Sequence, residues 1–290
     1  MTGPGLIYCI GAAKSGTSWL HDYLRGHGQV HLRALKELHY FDVLEPGLGK
    51  WQYKALVRQA GNMRDRLRAG LGNAESLRER LADLEAWLET FDGETADDAA
   101  YLAYLRQGAG AGARWVGDFT PAYALLSEAT FAHMAGLAGE TRFVYLLRDP
   151  VERAWSNIRM VAKNAGAADP EALHQRELRD LVAGNNRKIA LRSDYRGTLE
   201  RLFRAVPRAQ VHVEFYERLF TPRAIERLCG FLGIEVEPAA FERRVHKGRE
   251  AGLEPAGRAA LAAWLKPQYE YVKEVMGGLP RAWTDRMVDA

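Results

Sequence analysis

Short, uninterrupted apolar runs alternate along this chain with longer stretches in which apolar residues recur every three or four positions. Residues 6–10 are apolar throughout, the pattern of a strand covered on both faces. After a glycine-bearing loop, Trp19, Leu20, Tyr23 and Leu24 share one face of a helix. A short strand is predicted at about 30–33, followed by the polar and aromatic cluster KELHYFD at 36–42. From 56 to about 105 the pattern is helical, with Leu77, Leu81, Leu84 and Leu88 at spacings of three and four. The sequence WVGDF predicts a strand, a helix is expected around 128–137, and 143–147 is the strongest strand signal in the chain. That strand runs through Arg-Asp-Pro into a helix near Val151, with Pro150 at its mouth. Further helices are predicted at 195–205, 222–232 and 257–276, and a strand at 211–217.

Strands separated by helices imply an α/β fold: a single domain over 1–290 with a mostly parallel central sheet flanked by helices. The helical stretch 56–105 reads as an insertion packed beside the sheet, and the small-residue run at 107–114 as a flexible connection. In such sheets ligands bind beyond the carboxyl ends of the strands.

Composition narrows the picture by exclusion. Apolar residues make up 47% and charged residues 27% of the 290, ordinary globular usage that excludes a disordered or fibrous chain. Lys and Arg number 40 against 37 Asp and Glu, a net +3, which gives no compositional case for nucleic acid but leaves room for a local anion site. Cys9 and Cys229 lie in apolar surroundings without metal-ligand spacing, so buried free thiols are expected rather than zinc or a disulfide. The apolar run at the N-terminus is too short for a signal core or a span, and no later stretch could cross a bilayer. The expectation is a cytoplasmic protein with no transmembrane segment; no oligomeric state is assigned.

The chemistry concentrates first at GAAKSGTSWL. Gly11 and Gly16 have the spacing of the glycines in G-x-x-x-x-G-K-[ST], after a strand and before a helix. Backbone amides at the helix start and the hydroxyls of Ser15, Thr17 and Ser18 then face an anion along the helix dipole. Where a magnesium-ATP enzyme needs lysine stands Thr17, and the lysine comes three residues earlier, at Lys14. The strand 143–147 ends not in an aspartate but in Arg148. A P-loop nucleotide-binding protein or Mg-ATP phosphotransferase is therefore the alternative reading, and a site in which lysine and arginine manage the anion without a metal is the leading one.

KSGTSWL resembles the 5′-phosphosulfate loop of the sulfotransferases that use 3′-phosphoadenosine 5′-phosphosulfate (PAPS). YLLRDPVERAWSNI is similar to that family's 3′-phosphate motif, with Arg148 and, eight residues on, Ser156. The chain is identified as a member on these blocks, which lie between residue 6 and about 250 and imply the P-loop-like sulfotransferase fold. The resemblance implies PAPS as donor, adenosine 3′,5′-bisphosphate (PAP) as product and a hydroxylated acceptor, whether carbohydrate, lipid or small molecule. It assigns Lys14 to the leaving group, and Ser15, Gly16, Thr17 and Ser18 to the phosphate cradle. Trp19 stands where many soluble members stack adenine, and Lys247, Gly248 and Arg249 resemble the late loop that closes over the 3′-phosphate. KELHYFD resembles the KExHFFD segment of carbohydrate sulfotransferases, which makes Glu37 the general base and Lys36 a second cation; His39 is the alternative base. GDFTPAY resembles GEKTPxY and implies that Asp118, Thr120 and Tyr123 meet the acceptor, although the lysine usual in the carbohydrate branch is Phe119 here. Tyr53 ends a stretch similar to an element downstream of the acceptor-side motif. Features of the small-molecule and carbohydrate branches are thus mixed.

Overall fold

A computed structural model describes residues 3–242 and 252–288 of the chain. The strands are β1 (Gly5–Gly11), β2 (Val30–Leu32), β3 (Trp115–Phe119), β4 (Thr141–Leu147) and β5 (Val211–Phe215). They form one sheet in the order β2-β3-β1-β4-β5, and every pairing is parallel. Because the strands run the same way, the segments leaving their carboxyl ends all emerge at one edge.

The apolar runs of β1 and β4 are explained by burial on both faces. Leu6, Tyr8, Ile10, Phe143, Tyr145 and Leu147 enter one core, while Ile7, Cys9, Val144 and Leu146 enter the other. Side chains alternate across a strand, so an unbroken apolar run serves two cores at once. One core is covered by α1 (Thr17–Arg25), through Trp19, Leu20 and Leu24, and by a later helix through Ile225, Leu228 and Leu232. The opposite core is covered first by α2 (Gly49–Arg68), α3 (Ala74–Thr90) and α4 (Asp98–Arg106), which lie between β2 and β3.

Next come α5 (Glu128–Gly136), α6 (Pro150–Ala165), α7 (Pro170–Val182), α8 (Arg187–Ser193) and α9 (Tyr195–Ala205). The chain closes with α10 (Tyr216–Leu219), α11 (Pro222–Leu232), α12 (Pro255–Met276) and α13 (Arg281–Val288). The α7, α8 and α13 helices exceed what the periodicity predicts. The strand expected at 211–217 stops at Phe215, because Glu217 lies in the short α10, where its carboxylate accepts the Asp149 amide at 2.9 Å. Among the described residues no helix is long and apolar enough to cross a membrane. Cys9 and Cys229 are buried free thiols, and burial pushes the Cys9 thiol up to about 12.

Candidate active site

Apart from Tyr53 on α2 and Asp118 near the end of β3, every sequence-predicted site residue among the described ones comes after the carboxyl end of a strand or on the helix that follows it. Between β1 and α1 the backbone turns sharply: Lys14 has φ 73 and Gly16 φ 89. A Cβ on Gly16 would stand 3.0 Å from Leu219 and 3.1 Å from Tyr216. Glycine is required here both by the left-handed backbone and by the close approach of α10. The α1 helix has no side-chain cap, so its first amides remain directed at whatever lies before the helix. Ser15 is fully buried, and its hydroxyl has no hydrogen-bond partner among the described residues.

At the end of β4, Asp149 caps α6 by accepting the Glu152 amide at 3.0 Å, and Pro150 occupies the first helical turn. Arg-Asp-Pro is thus a helix start that projects Arg148 sideways. The Arg148 Nη1 donates to the Lys14 carbonyl at 3.1 Å, across 134 residues of sequence, and its guanidinium lies 4.8 Å over the Tyr216 ring. Its acidic neighbour Glu152, at 3.8 Å, also accepts from Arg258 at 3.0 Å. Ser156 is on α6, half-buried. Burial first, then Arg148 and Arg159, lowers the Lys14 pKa, while Glu37 opposes the shift and Lys163 adds to it. Arg159 and Lys163 lie three and seven residues beyond Ser156 on α6, on the face that a 3.6-residue period keeps together. They enlarge a cationic corner that the motif comparison does not include. Tyr216 is another residue that sequence reasoning missed; the strand signal that absorbed it was the only one available.

The segment 33–42 leaves β2 and crosses the same edge. Lys36 Nζ donates to the Ser18 hydroxyl at 2.9 Å, joining this segment to the glycine loop. Burial lowers the Lys36 pKa, partly offset by Glu37. Glu37 is exposed, and its amide donates to the Phe119 carbonyl at 3.1 Å. His39 is buried with Nδ1 2.7 Å from Asp42 Oδ2. Burial works against its charged form, but the Asp42 bond and the charges of Asp42, Glu37 and Asp118 outweigh it, so its pKa is raised.

Helices α3 and α4 splint this segment. Asp83 accepts from Arg33 Nε at 2.7 Å and from the Leu35 amide at 2.8 Å. Trp87 Nε1 donates to the Leu38 carbonyl at 3.0 Å, and the Tyr40 hydroxyl to Asp98 at 2.7 Å. The helical stretch between β2 and β3 therefore holds the segment carrying Lys36, Glu37 and His39. Among the described residues, the non-glycine positions with positive φ are Lys14, Glu37 and His39. Each such position costs on the order of 1 kcal/mol and persists only where surrounding contacts enforce it.

Asp118, Thr120 and Tyr123, expected from the motif to meet an acceptor, are brought together beneath the segment rather than onto its open side. Asp118 is 2% exposed and accepts from Thr120 at 2.7 Å, Tyr123 at 2.7 Å and Tyr101 at 3.1 Å. Burial raises its pKa to about 6, against the three hydroxyl donors and the charge of His39. Trp19 is 5% exposed, stacked between Tyr23 and Phe241 at 5.9 and 6.0 Å, with Nε1 donating to the Ala240 carbonyl. Tyr53 belongs to α2 and packs 6.4 Å from Phe91. Lys247, Gly248 and Arg249 lie outside the described residues. Among the described residues no group of three or more His, Cys, Asp or Glu side chains is arranged to hold a metal ion.

Comparison with known proteins fits this geometry. A solved sulfotransferase from Alicyclobacillus acidocaldarius superposes with a TM-score of 0.67 at 20% identity, covering 98% of this chain and 100% of that one. The sulfotransferase domain of the curacin biosynthetic pathway gives a TM-score of 0.45 at 18% identity, over 82% of this chain and 77% of that one. The sulfotransferase domain of the Synechococcus PCC 7002 olefin synthase gives 0.46 at 16%, over 92% and 96%. No curated protein sequence matches the chain. The model of the Sulfotransferase family matches residues 4–238. That match runs through every strand and through both halves of the cationic corner, and the chain therefore belongs to the Sulfotransferase family and is a sulfuryl-group transferase.

Proposed function

We propose that the chain transfers the sulfuryl group of PAPS to a hydroxyl of a carbohydrate, lipid or small-molecule acceptor and releases PAP. The observation that carries this reading is the 3.1 Å bond from Arg148 to the Lys14 carbonyl. It unites two motifs that the sequence separates widely, one suited to a 5′-phosphosulfate and the other to a 3′-phosphate.

The residues fit such a donor. Ser15 keeps a buried hydroxyl without a partner among the described residues, the condition of a donor reserved for an anion. Lys14 feels Arg148, Arg159 and Lys163, opposed by Glu37, a crowding of like charge that a polyanion relieves. When bound, PAPS supplies an activated sulfuryl group whose departure leaves charge on a phosphate oxygen. Lys14 stabilises that charge, aided by the amides of residues 15–18 and by Lys36, which the Ser18 hydroxyl holds in place. Arg148, with its planar fork, and Ser156 hold the 3′-phosphate. Glu37, exposed on a segment tied to the glycine loop, accepts the proton of the attacking hydroxyl.

The left-handed backbone at Lys14, Glu37 and His39 supports the placing of chemistry at these positions, since such strain collects where function holds it. His39 is a second reading for the base, favoured by its bond to Asp42. Its raised pKa keeps it protonated to higher pH and burial keeps it from a large acceptor, so Glu37 is preferred. The donor reading is tested by thermal unfolding. PAP should raise the melting temperature without magnesium, and Mg-ATP should not. Preferential stabilisation by Mg-ATP would replace this reading with a P-loop phosphotransferase.

A further inference from the structure

We propose that Tyr195 is a positioning residue for the 3′-phosphate arm of the site, its buried hydroxyl gripping the backbone of Arg148 on both sides and so aiming the guanidinium. The inference rests on the donor reading above, and no motif marks this tyrosine.

Arg148 lies between the last residue of β4 and the Asp149 cap of α6. There the chain passes from strand to helix, and its peptide groups belong to neither regular ladder. The Tyr195 hydroxyl donates to the Arg148 carbonyl at 2.7 Å and accepts from the Arg148 amide at 3.4 Å. One phenol thus fixes the peptide groups flanking the Arg148 Cα, while the Arg148 side chain reaches the Lys14 carbonyl and lies over Tyr216. A guanidinium that binds a phosphate through two parallel bonds has a narrow angular tolerance, so a shift of its Cα is felt at the ligand.

Tyr195 is itself immobilised. It is fully buried and meets Tyr145 edge-on at 6.1 Å. It is the first residue of α9, capped by Asp194, which accepts the Gly197 amide at 2.9 Å and is held by Gln268 at 3.2 Å. Beneath it lies Arg153, 0% exposed, whose guanidinium donates to Asn157, the Ile189 carbonyl and the Ser193 hydroxyl, all neutral groups. Burying a guanidinium among neutral partners, with its Nε unpartnered among the described residues, is costly, and here it secures the end of α8 immediately before Tyr195. Burial also raises the Tyr195 pKa, which keeps the hydroxyl protonated and able to donate.

The test is calorimetric titration of the full chain with PAP and with adenosine 5′-monophosphate, whose affinity ratio isolates the 3′-phosphate. Tyr195→Phe should lower that ratio about tenfold, Arg148→Ala should abolish the preference, and the double variant should match Arg148→Ala. A merely structural tyrosine would shift the melting temperature and leave the ratio unchanged. That result, with Arg148→Ala still abolishing the preference, overturns the inference and leaves the donor reading standing. If wild type shows no preference for PAP, the donor reading fails and takes the inference with it. Should Tyr195→Phe not fold, Asp194→Ala removes the α9 cap but keeps the hydroxyl; a lowered ratio there supports the proposal and an unchanged one overturns it.

Discussion

The glycine loop of residues 11–18 and the segment of residues 33–42 cross the same edge of the sheet, and both hold side chains on left-handed backbone, yet they are held by opposite means. The loop is shaped from within, by glycine and by a helix start without a side-chain cap, and one long-range arginine secures it. Burial and the charges of Arg148 and Arg159 press on its Lys14, with Glu37 opposing them. The segment is shaped from outside, by Asp83, Trp87 and Asp98 on helices α3 and α4. The buried carboxylates in it and beneath it are consumed internally, Asp42 by His39 and Asp118 by three hydroxyls. A region built to receive an anion gathers positive charge, and a region built to aim a base must satisfy the buried polar groups it uses.

The comparison is broken most severely at the base. Glu37→Gln is expected to lower kcat by about a thousandfold while PAP affinity, read by titration, stays within about twofold. Near-normal turnover in Glu37→Gln, with His39→Ala inactive, would move the base to His39. The next largest effect separates the two regions directly. Arg148→Ala should weaken PAP by about a hundredfold with little change in unfolding midpoint. Asp118→Asn should do the reverse, lowering stability by about 1–3 kcal/mol with PAP affinity retained.

Asp118 also gives the segment a pH signature. Its pKa rises from an ordinary 3.8 to about 6, so between these values the folded chain holds a proton that the unfolded chain has released. Its contribution to stability is complete below pH 3.8 and is lost as pH rises through about 6, a change of up to roughly 3 kcal/mol. His39 adds a loss of the same sign on the alkaline side, present below its ordinary value and gone above its raised one. Denaturant midpoints from pH 4 to 6 should fall in wild type and flatten in Asp118→Asn; parallel slopes would remove Asp118 as the cause. The smallest expected effect is at Trp51, 55% exposed in the first turn of α2, near the exposed Leu48 that precedes that helix. Trp51→Ala should raise the acceptor KM by about threefold and leave PAP binding unchanged.

What could be read from the sequence was what local chemistry encodes. The apolar runs at β1 and β4 required a strand buried on both faces, and the two-core structure meets that requirement. The displaced lysine at Lys14, the glycine spacing and Arg-Asp-Pro are likewise local, since a turn, a helix cap and an anion cradle each depend on a few adjacent residues. Tertiary structure alone decided that Asp118, Thr120 and Tyr123 point into a closed network, because burial is a property of what packs above a residue. It decided that Trp19 lies between Tyr23 and Phe241, and that α3 and α4 splint the base-bearing segment. It also brought Tyr195 onto Arg148, a contact 47 residues long in sequence whose single hydroxyl carries no periodic or motif signal. Bonds of this kind depend on where two distant backbones meet, and that meeting is fixed only when both cores are packed.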